Sequence, residues 1–319
     1  MFIENQTSKA IRPKPYRVSR SELAFRARET LRLVDYLTLG YLALMGTLVL
    51  LFHRHVPNWP LHVAGHYVSI GLLFLFFRFA TGHRSRLIRF VRDAYPFFLY
   101  TFMFKETSTI INIFFPFWLE PFLIKWDLAL LGSHPTVWLQ RFYHPWLTEF
   151  MAFSYWSYYI LLPAGALILY LRKDKVRFHS LVFTLSLTLY LCYFSYLLLT
   201  ARGPHETLAY LHADRQLVGF FDRLVHAIQA RAAISGAAFP SSHVAAVWVV
   251  LFFMFEHRKW LGFAMLPLVL SLTVSVVYLQ YHYAVDPLAG ILVAVLVFLL
   301  ARFIQKRANP KIAKIRDET

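Results

Sequence analysis

His282 and Asp286 stand four residues apart in the run Tyr-His-Tyr-Ala-Val-Asp-Pro at 281–287. That spacing puts two side chains on one face of a helix, where a carboxylate can fix the tautomer of an imidazole and raise its basicity. A nucleophile held by an orienting group has this form. A second polar run, Phe-Pro-Ser-Ser-His-Val at 239–244, reads as a helix start, because Pro240 suits a first turn and serine is a good cap. The N–H groups and positive dipole end of such a start make an anion site, with Ser241, Ser242 and His243 projecting beside it. A third run, Thr-Ala-Arg-Gly-Pro-His-Glu at 200–206, adds Arg202 and His205. Singly, these runs read equally well as an ordinary cap, a structural hydrogen bond at a helix end and an interfacial arginine. Together they hold the parts for phosphoryl transfer: a nucleophile, a general acid and donors for oxyanions.

The segments between these runs are almost entirely apolar. Hydrophobic residues make up 58% of the 319, charged residues 16% and aromatic residues 18%. That balance excludes an ordinary soluble domain. Runs long enough to cross a bilayer as helices, about 20 residues each, lie at 34–52, 61–80, 95–118, 147–171, 178–199, 241–256, 260–281 and 283–305. The expectation is therefore an all-α fold, a polytopic membrane helical bundle of about eight transmembrane helices. Continuous apolar runs are not the ten-residue alternations of a membrane β-barrel. With both termini on the cytoplasmic side, cytoplasmic segments hold 25 Lys and Arg and outer loops hold 7, with Lys105 inside a span. The positive-inside rule selects that orientation, and it puts 200–240 and 281–287 on the same outer face. The net charge of +16 is accounted for by the cytoplasmic arms, which would lie on anionic lipid headgroups. Nucleic-acid binding is not expected, because the charges are dispersed beside spans.

At this point the residues resemble a known family. Pro240-Ser241-Ser242-His243 is similar to the second signature, and His282-x-x-x-Asp286 to the third, of the type 2 phosphatidic acid phosphatase superfamily of membrane lipid phosphatases. The order and spacing also match, with the first two signatures in one outer loop and the third two helices later. The resemblance implies a six-helix catalytic core over 94–305, with outer loops at 119–146 and 200–240. Two additional transmembrane helices and a basic loop occupy 34–93, a basic cytoplasmic arm 1–33 and a basic cytoplasmic tail 306–319. The chain departs from the phosphatase pattern at Ser195, where a lysine is usual, and at Val276, where an arginine is usual beside Ser275. The forms around His243 and His282, with Asp127 to Pro135, look more like the inositol-phosphorylceramide-synthase-like branch, which includes head-group transferases.

What the resemblance implies is hydrolysis of a lipid phosphate, without metal or other cofactor, on the extracytoplasmic face of a bacterial inner (plasma) membrane. His282 would be the nucleophile, Asp286 its orienting carboxylate and His243 the general acid and base. Arg202, Ser241 and Ser242 would hold the phosphate, helped by Arg231 or His205. A lipid phosphotransferase acting on a phosphodiester is the alternative, and a non-enzymatic lipid transporter or binding protein is the second. The partner is a membrane lipid carrying a phosphate or phosphodiester; the sequence gives no oligomeric state.

Other features stand outside that assignment. Lys105 and Glu106 fall near the middle of the third span, too deep for chemistry at the outer face if that helix is straight. The segment 119–146, with Trp118, Trp126, Trp138 and Trp146 in or beside it, reads as interfacial helices on the outer leaflet. His53, His55, His62 and His66 have no evident partner. Cys192 is the single cysteine, so neither an intramolecular disulfide nor a cysteine metal site is available.

Overall fold

The computed structural model describes residues 31–308, apart from 112, 116 and 213–215. Most of the basic arm and of the tail beyond Ala308 lies outside the described residues, as does Arg215. Among the described residues there are thirteen α-helices and no strand. In chain order they are α1 (Leu33–Leu51), α2 (Trp59–Ala80), α3 (Arg86–Ile110), α4 (Glu120–Leu131), α5 (Pro135–Trp138), α6 (Pro145–Trp156), α7 (Tyr158–Leu171), α8 (Lys175–Leu198), α9 (Pro204–Thr207), α10 (Phe220–Ala232), α11 (Ser242–His257), α12 (Lys259–Tyr278) and α13 (Val285–Ala308).

Local sequence explains many of the boundaries. Pro60, Pro121, Pro135, Pro145 and Pro204 each sit in the first turn of a helix, where the missing N–H costs nothing. Asp174 caps α8 by accepting from the Arg177 N–H at 3.1 Å. Gly132 ends α4 at a φ of 67°, a left-handed conformation that needs no Cβ.

Among the described residues, five helices are long and apolar enough to cross a membrane: α1, α2, α8, α12 and α13. The expected span at 147–171 is a pair, α6 and α7, bent by 45° at Ser157, and counts as a sixth if the pair is one crossing. The expected span at 241–256 is α11, apolar but only 16 residues long. The expected span at 95–118 differs most. The helix there begins nine residues earlier, at Arg86, and stops at Ile110. Arg86, Arg89, Arg92 and Asp93 join its N-terminal end, and Arg92 has a partner there: Asp35 on α1 accepts from its Nη1 at 2.9 Å and from the Tyr95 hydroxyl at 2.8 Å. Asp35 and Arg92 are both buried, and the Arg92 guanidinium lies 4.1 Å over the Phe77 ring of α2.

The bundle is organised around α8, which is buried on nearly every side. A helix that is apolar all round belongs inside. Its hydroxyls do not break this rule, because Thr184, Ser186 and Thr188 bond back to carbonyls four residues earlier. Helices α1, α3, α7, α11 and α13 pack against it. The outer helices expose large apolar side chains, such as Leu72, Leu75 and Phe79 on α2 and Leu292, Leu296 and Leu299 on α13. Exposed apolar faces around a buried core are what a lipid solvent permits.

The end of α3 also changes the place of its charged pair within the helix. Lys105 and Glu106, expected near the middle of a span, lie in the last two turns before Ile110. Two of the histidines left without a partner have one here: Glu106 Oε1 is 2.8 Å from His62 Nδ1 and 3.3 Å from His66 Nε2, both on α2.

Candidate active site

Three segments from distant parts of the chain meet at one end of the bundle. Two of them are stapled by backbone hydrogen bonds, Ala201 N–H to the Gly236 carbonyl at 3.1 Å and Ala238 N–H to the Ala201 carbonyl at 3.0 Å. The third, between α12 and α13, is held to the start of α11 by the Ser241 N–H, which donates to the Asp286 carbonyl at 3.2 Å. The helices α11 and α13 approach closely there. A Cβ on Gly290 would lie 2.6 Å from the Ser241 carbonyl oxygen, so only glycine fits.

His282 is not on a helix. Gln280, at a φ of 68°, breaks the chain away from α12, and α13 begins only at Val285. The expected contact forms across this turn instead of along a helix face. His282 Nδ1 is 3.1 Å from Asp286 Oδ2, and the same oxygen accepts from the Tyr283 N–H at 2.9 Å. Asp286 thus works as a cap for the first turn of α13 and as the holder of the imidazole. The backbone of the turn is anchored by the Val276 carbonyl, which accepts from the N–H of Tyr281 at 3.1 Å and of His282 at 3.0 Å.

With Nδ1 occupied, His282 Nε2 is the nitrogen left to face the site, where Ser241 Oγ lies 3.4 Å away. His282 is buried, and burial pushes its imidazole down to about 4. At neutral pH the ring is therefore the uncharged free base, the form that attacks.

Ser241 is the cap residue of α11, and Pro240 stands just before it, outside the first turn, with its carbonyl accepting from the Tyr196 hydroxyl at 3.2 Å. His243 projects from the first turn into a sleeve of tyrosines made by the α6–α7 bend. Its ring centroid is 5.2 Å from that of Tyr155 and 4.3 Å from that of Tyr158, and its Nε2 is 3.4 Å from the Tyr155 hydroxyl. That hydroxyl also accepts from Gln229 Nε2 on α10.

A small cavity of about 60 Å³ brings His243, His282, Ser242 and His205 together, with Phe104, Gly203, Gln229 and Tyr281 among its other lining residues. A larger recess of about 560 Å³ adjoins it and shares His205, Gln229, Ala233 and Tyr281. Burial pushes His205 below its ordinary value, so it acts there as a neutral donor or acceptor. Neither lining includes a lysine or an arginine.

Arg202 and Arg231, named from the sequence as phosphate ligands, are placed outside that cavity lining. Arg202 donates from Nε to Glu120 Oε1 at 2.7 Å, pairs with the same oxygen through Nη2 at 2.6 Å, and stacks 4.5 Å over Trp118. Its neighbour in space is the buried carboxylate of α4, which sequence alone gave no reason to pair with it. Arg231 lies exposed near the end of α10, and its carbonyl accepts from Lys105 Nζ at 3.4 Å.

Asp127 on α4 holds the backbone beside the site, a contact that spacing could not reveal. It is buried, and its two oxygens accept from the N–H groups of Ala284 and Val285, both at 3.0 Å. It therefore fixes the start of α13 from 157 residues away in the chain. The sequence marked it only as the start of the run Asp127 to Pro135 that enters the family resemblance, inside a tryptophan-rich segment. Trp126, Trp138 and Trp146 are exposed on the other side, in keeping with anchoring at a membrane boundary. Tyr155 and Tyr158 carried no signal, being two of 18 tyrosines.

No curated protein and no solved structure matches the chain. A family profile does, over residues 121–300, more than half of the sequence and the stretch that contains Asp127, His243, His282 and Asp286. Members of that family are usually phosphatases. With its described residues all helical, several helices long and apolar enough to cross a membrane, and this match, the chain belongs to the PAP2 superfamily.

Proposed function

We propose that the protein hydrolyses a lipid phosphate at the extracytoplasmic face of its membrane through a phosphohistidine on His282. The observation that carries this reading is the ordered contact Asp286–His282–Ser241, with His243 lining the same cavity. His282 Nε2 attacks phosphorus in line and the bond to the lipid oxygen breaks. His243, protonated beside the negative charge of the bound phosphate, gives that proton to the departing alkoxide. A water then attacks the phosphohistidine, losing a proton to His243, and inorganic phosphate leaves with both imidazoles restored. Equatorial oxygens are held by Ser241, Ser242, His205 and the first N–H groups of α11, which lack acceptors within the helix. Each step uses a side chain of the protein itself.

The orientation follows from the 25-to-7 division of basic residues, which favours cytoplasmic termini and an outward site. Eight crossings satisfy it if α3 spans with its charged ends and α11 spans as a short, tilted helix. Transfer to an alcohol is the second reading, favoured by the recess of about 560 Å³ beside the cavity, which has room for an acceptor. A missing lysine and arginine favour it as well, because a phosphodiester carries less charge than a phosphomonoester. The test is purified protein with a panel of phosphate and phosphodiester lipids, with and without alcohol acceptors, in excess EDTA. Free phosphate without new lipid supports hydrolysis; new lipid supports transfer. Turnover lost in EDTA and restored by a divalent ion, or resistant to vanadate, which mimics five-coordinate phosphorus, would overturn the mechanism.

A further inference from the structure

A phosphate drawn into a buried site needs a cation or an equivalent set of donors, because an unpaired charge in such surroundings is costly. The cavity that holds His243 and His282 has no lysine or arginine in its lining, and Arg202 is engaged by Glu120 and Trp118. We propose that Lys105 supplies the positive charge that grips the phosphate. This rests on the phosphatase reading above and adds to it a ligand from outside the matched segment 121–300.

The geometry at the end of α3 carries the inference. Lys105 is five residues from the last residue of that helix, about 7.5 Å along its axis. Phe104, its neighbour, lines the cavity. Lys105 Nζ lies 3.4 Å from the carbonyl of Arg231, two residues before Ala233, which lines the cavity too. The side chain is exposed, and among the described residues no carboxylate pairs with it. Glu106, the adjacent carboxylate, is turned to α2 and shared by His62 and His66, so it does not neutralise the ammonium. A four-carbon stem with a rotatable ammonium can leave a single carbonyl for a phosphate oxygen.

The competing explanation is that Lys105 only complements the carbonyl end of α10, as basic side chains often do at a helix C-terminus. The two differ in what substitution changes. Lys105→Met and Lys105→Arg are compared with wild type in the full-length purified protein, measuring kcat/KM on a lipid phosphomonoester, the inhibition constant of orthovanadate, and thermal melting. A lost charge-assisted contact should weaken both turnover and vanadate inhibition in Lys105→Met by about 10–100-fold. The melting point should stay close to that of wild type, Lys105→Arg should recover most of the loss, and a phosphodiester substrate should suffer less. Unchanged vanadate inhibition in folded Lys105→Met, or a lowered melting point with intact kcat/KM, overturns the proposal. If Lys105→Met does not fold, Lys105→Gln takes its place in the same comparison. Wild type without turnover or vanadate binding would sink the phosphatase reading itself; active wild type with an indifferent Lys105 would sink only this ligand.

Discussion

A histidine attacks phosphorus only as its free base, so the pH at which His282 gains a proton sets the acid limit of activity. Burial lowers that value from an ordinary 6.5 to about 4. The free base therefore persists well below pH 6.5, and kcat/KM should hold down to about pH 5 and fall as pH drops through about 4. A profile with its acid limb at 6.5 would show that the ring is solvated during catalysis. Substitution separates the two members of the pair. His282→Ala should reduce turnover by about 10⁴–10⁶, as loss of a nucleophile does. Asp286→Asn should cost less, on the order of 10²–10⁴, because Nε2 survives with its ring poorly held. The double variant should be no worse than His282→Ala, since the pair acts as one unit. Near-normal turnover by folded His282→Ala would remove the nucleophile from the mechanism.

At the scale of elements, the site depends on how closely α11 and α13 approach, and Gly290 sets that distance. A Cβ there meets the backbone of the first turn of α11, the Ser241 carbonyl at 2.6 Å and the Ala245 nitrogen at 3.3 Å, and backbone cannot swing aside. Gly290→Ala should therefore push Ser241 and His243 away from His282 and lower kcat by more than tenfold, since small misplacements of this kind are expensive. The protein should still insert and stay helical, checked by circular dichroism; wild-type kcat would show that the helices can separate without harm. The pairing of Asp286 with His282 was legible in the sequence, because four residues is a local distance and either a helix or a capped turn brings the two together. The partners of Arg202 and of Ala284 and Val285 were not. Glu120 and Asp127 reach them from 82 and 157 residues away, and no local spacing encodes such contacts. The boundaries of α3 were misplaced for a related reason: hydropathy counts Arg92 against a helix, whereas Asp35 and Tyr95 make it affordable.

At the scale of the molecule, apolar runs mark most of the helices well, because lipid demands an apolar surface and every backbone group must be paired within the segment. The orientation is open to a direct measurement. Tyr210→Cys, at an exposed position of the 3-10 turn Ala209–Leu211 near the site, and Ala308→Cys, at the end of α13, should label from opposite sides of the membrane, with the buried Cys192 silent. Labelling of both from one side would refute the topology. The buried pair of Asp35 and Arg92 has a consequence for how the chain is made. Synthesis delivers the carboxylate 57 residues before the guanidinium that neutralises it. Until then α1 carries, near its N-terminal end, an acid with no guanidinium to pair it, which hydrocarbon disfavours. The consequence to test is that the final seating of α1 waits for α3, which would make the pair a checkpoint in biogenesis. Arg92→Leu should leave less protein in the membrane, and Asp35→Asn combined with it should restore the yield; equal accumulation of Arg92→Leu and wild type would show that α1 seats alone.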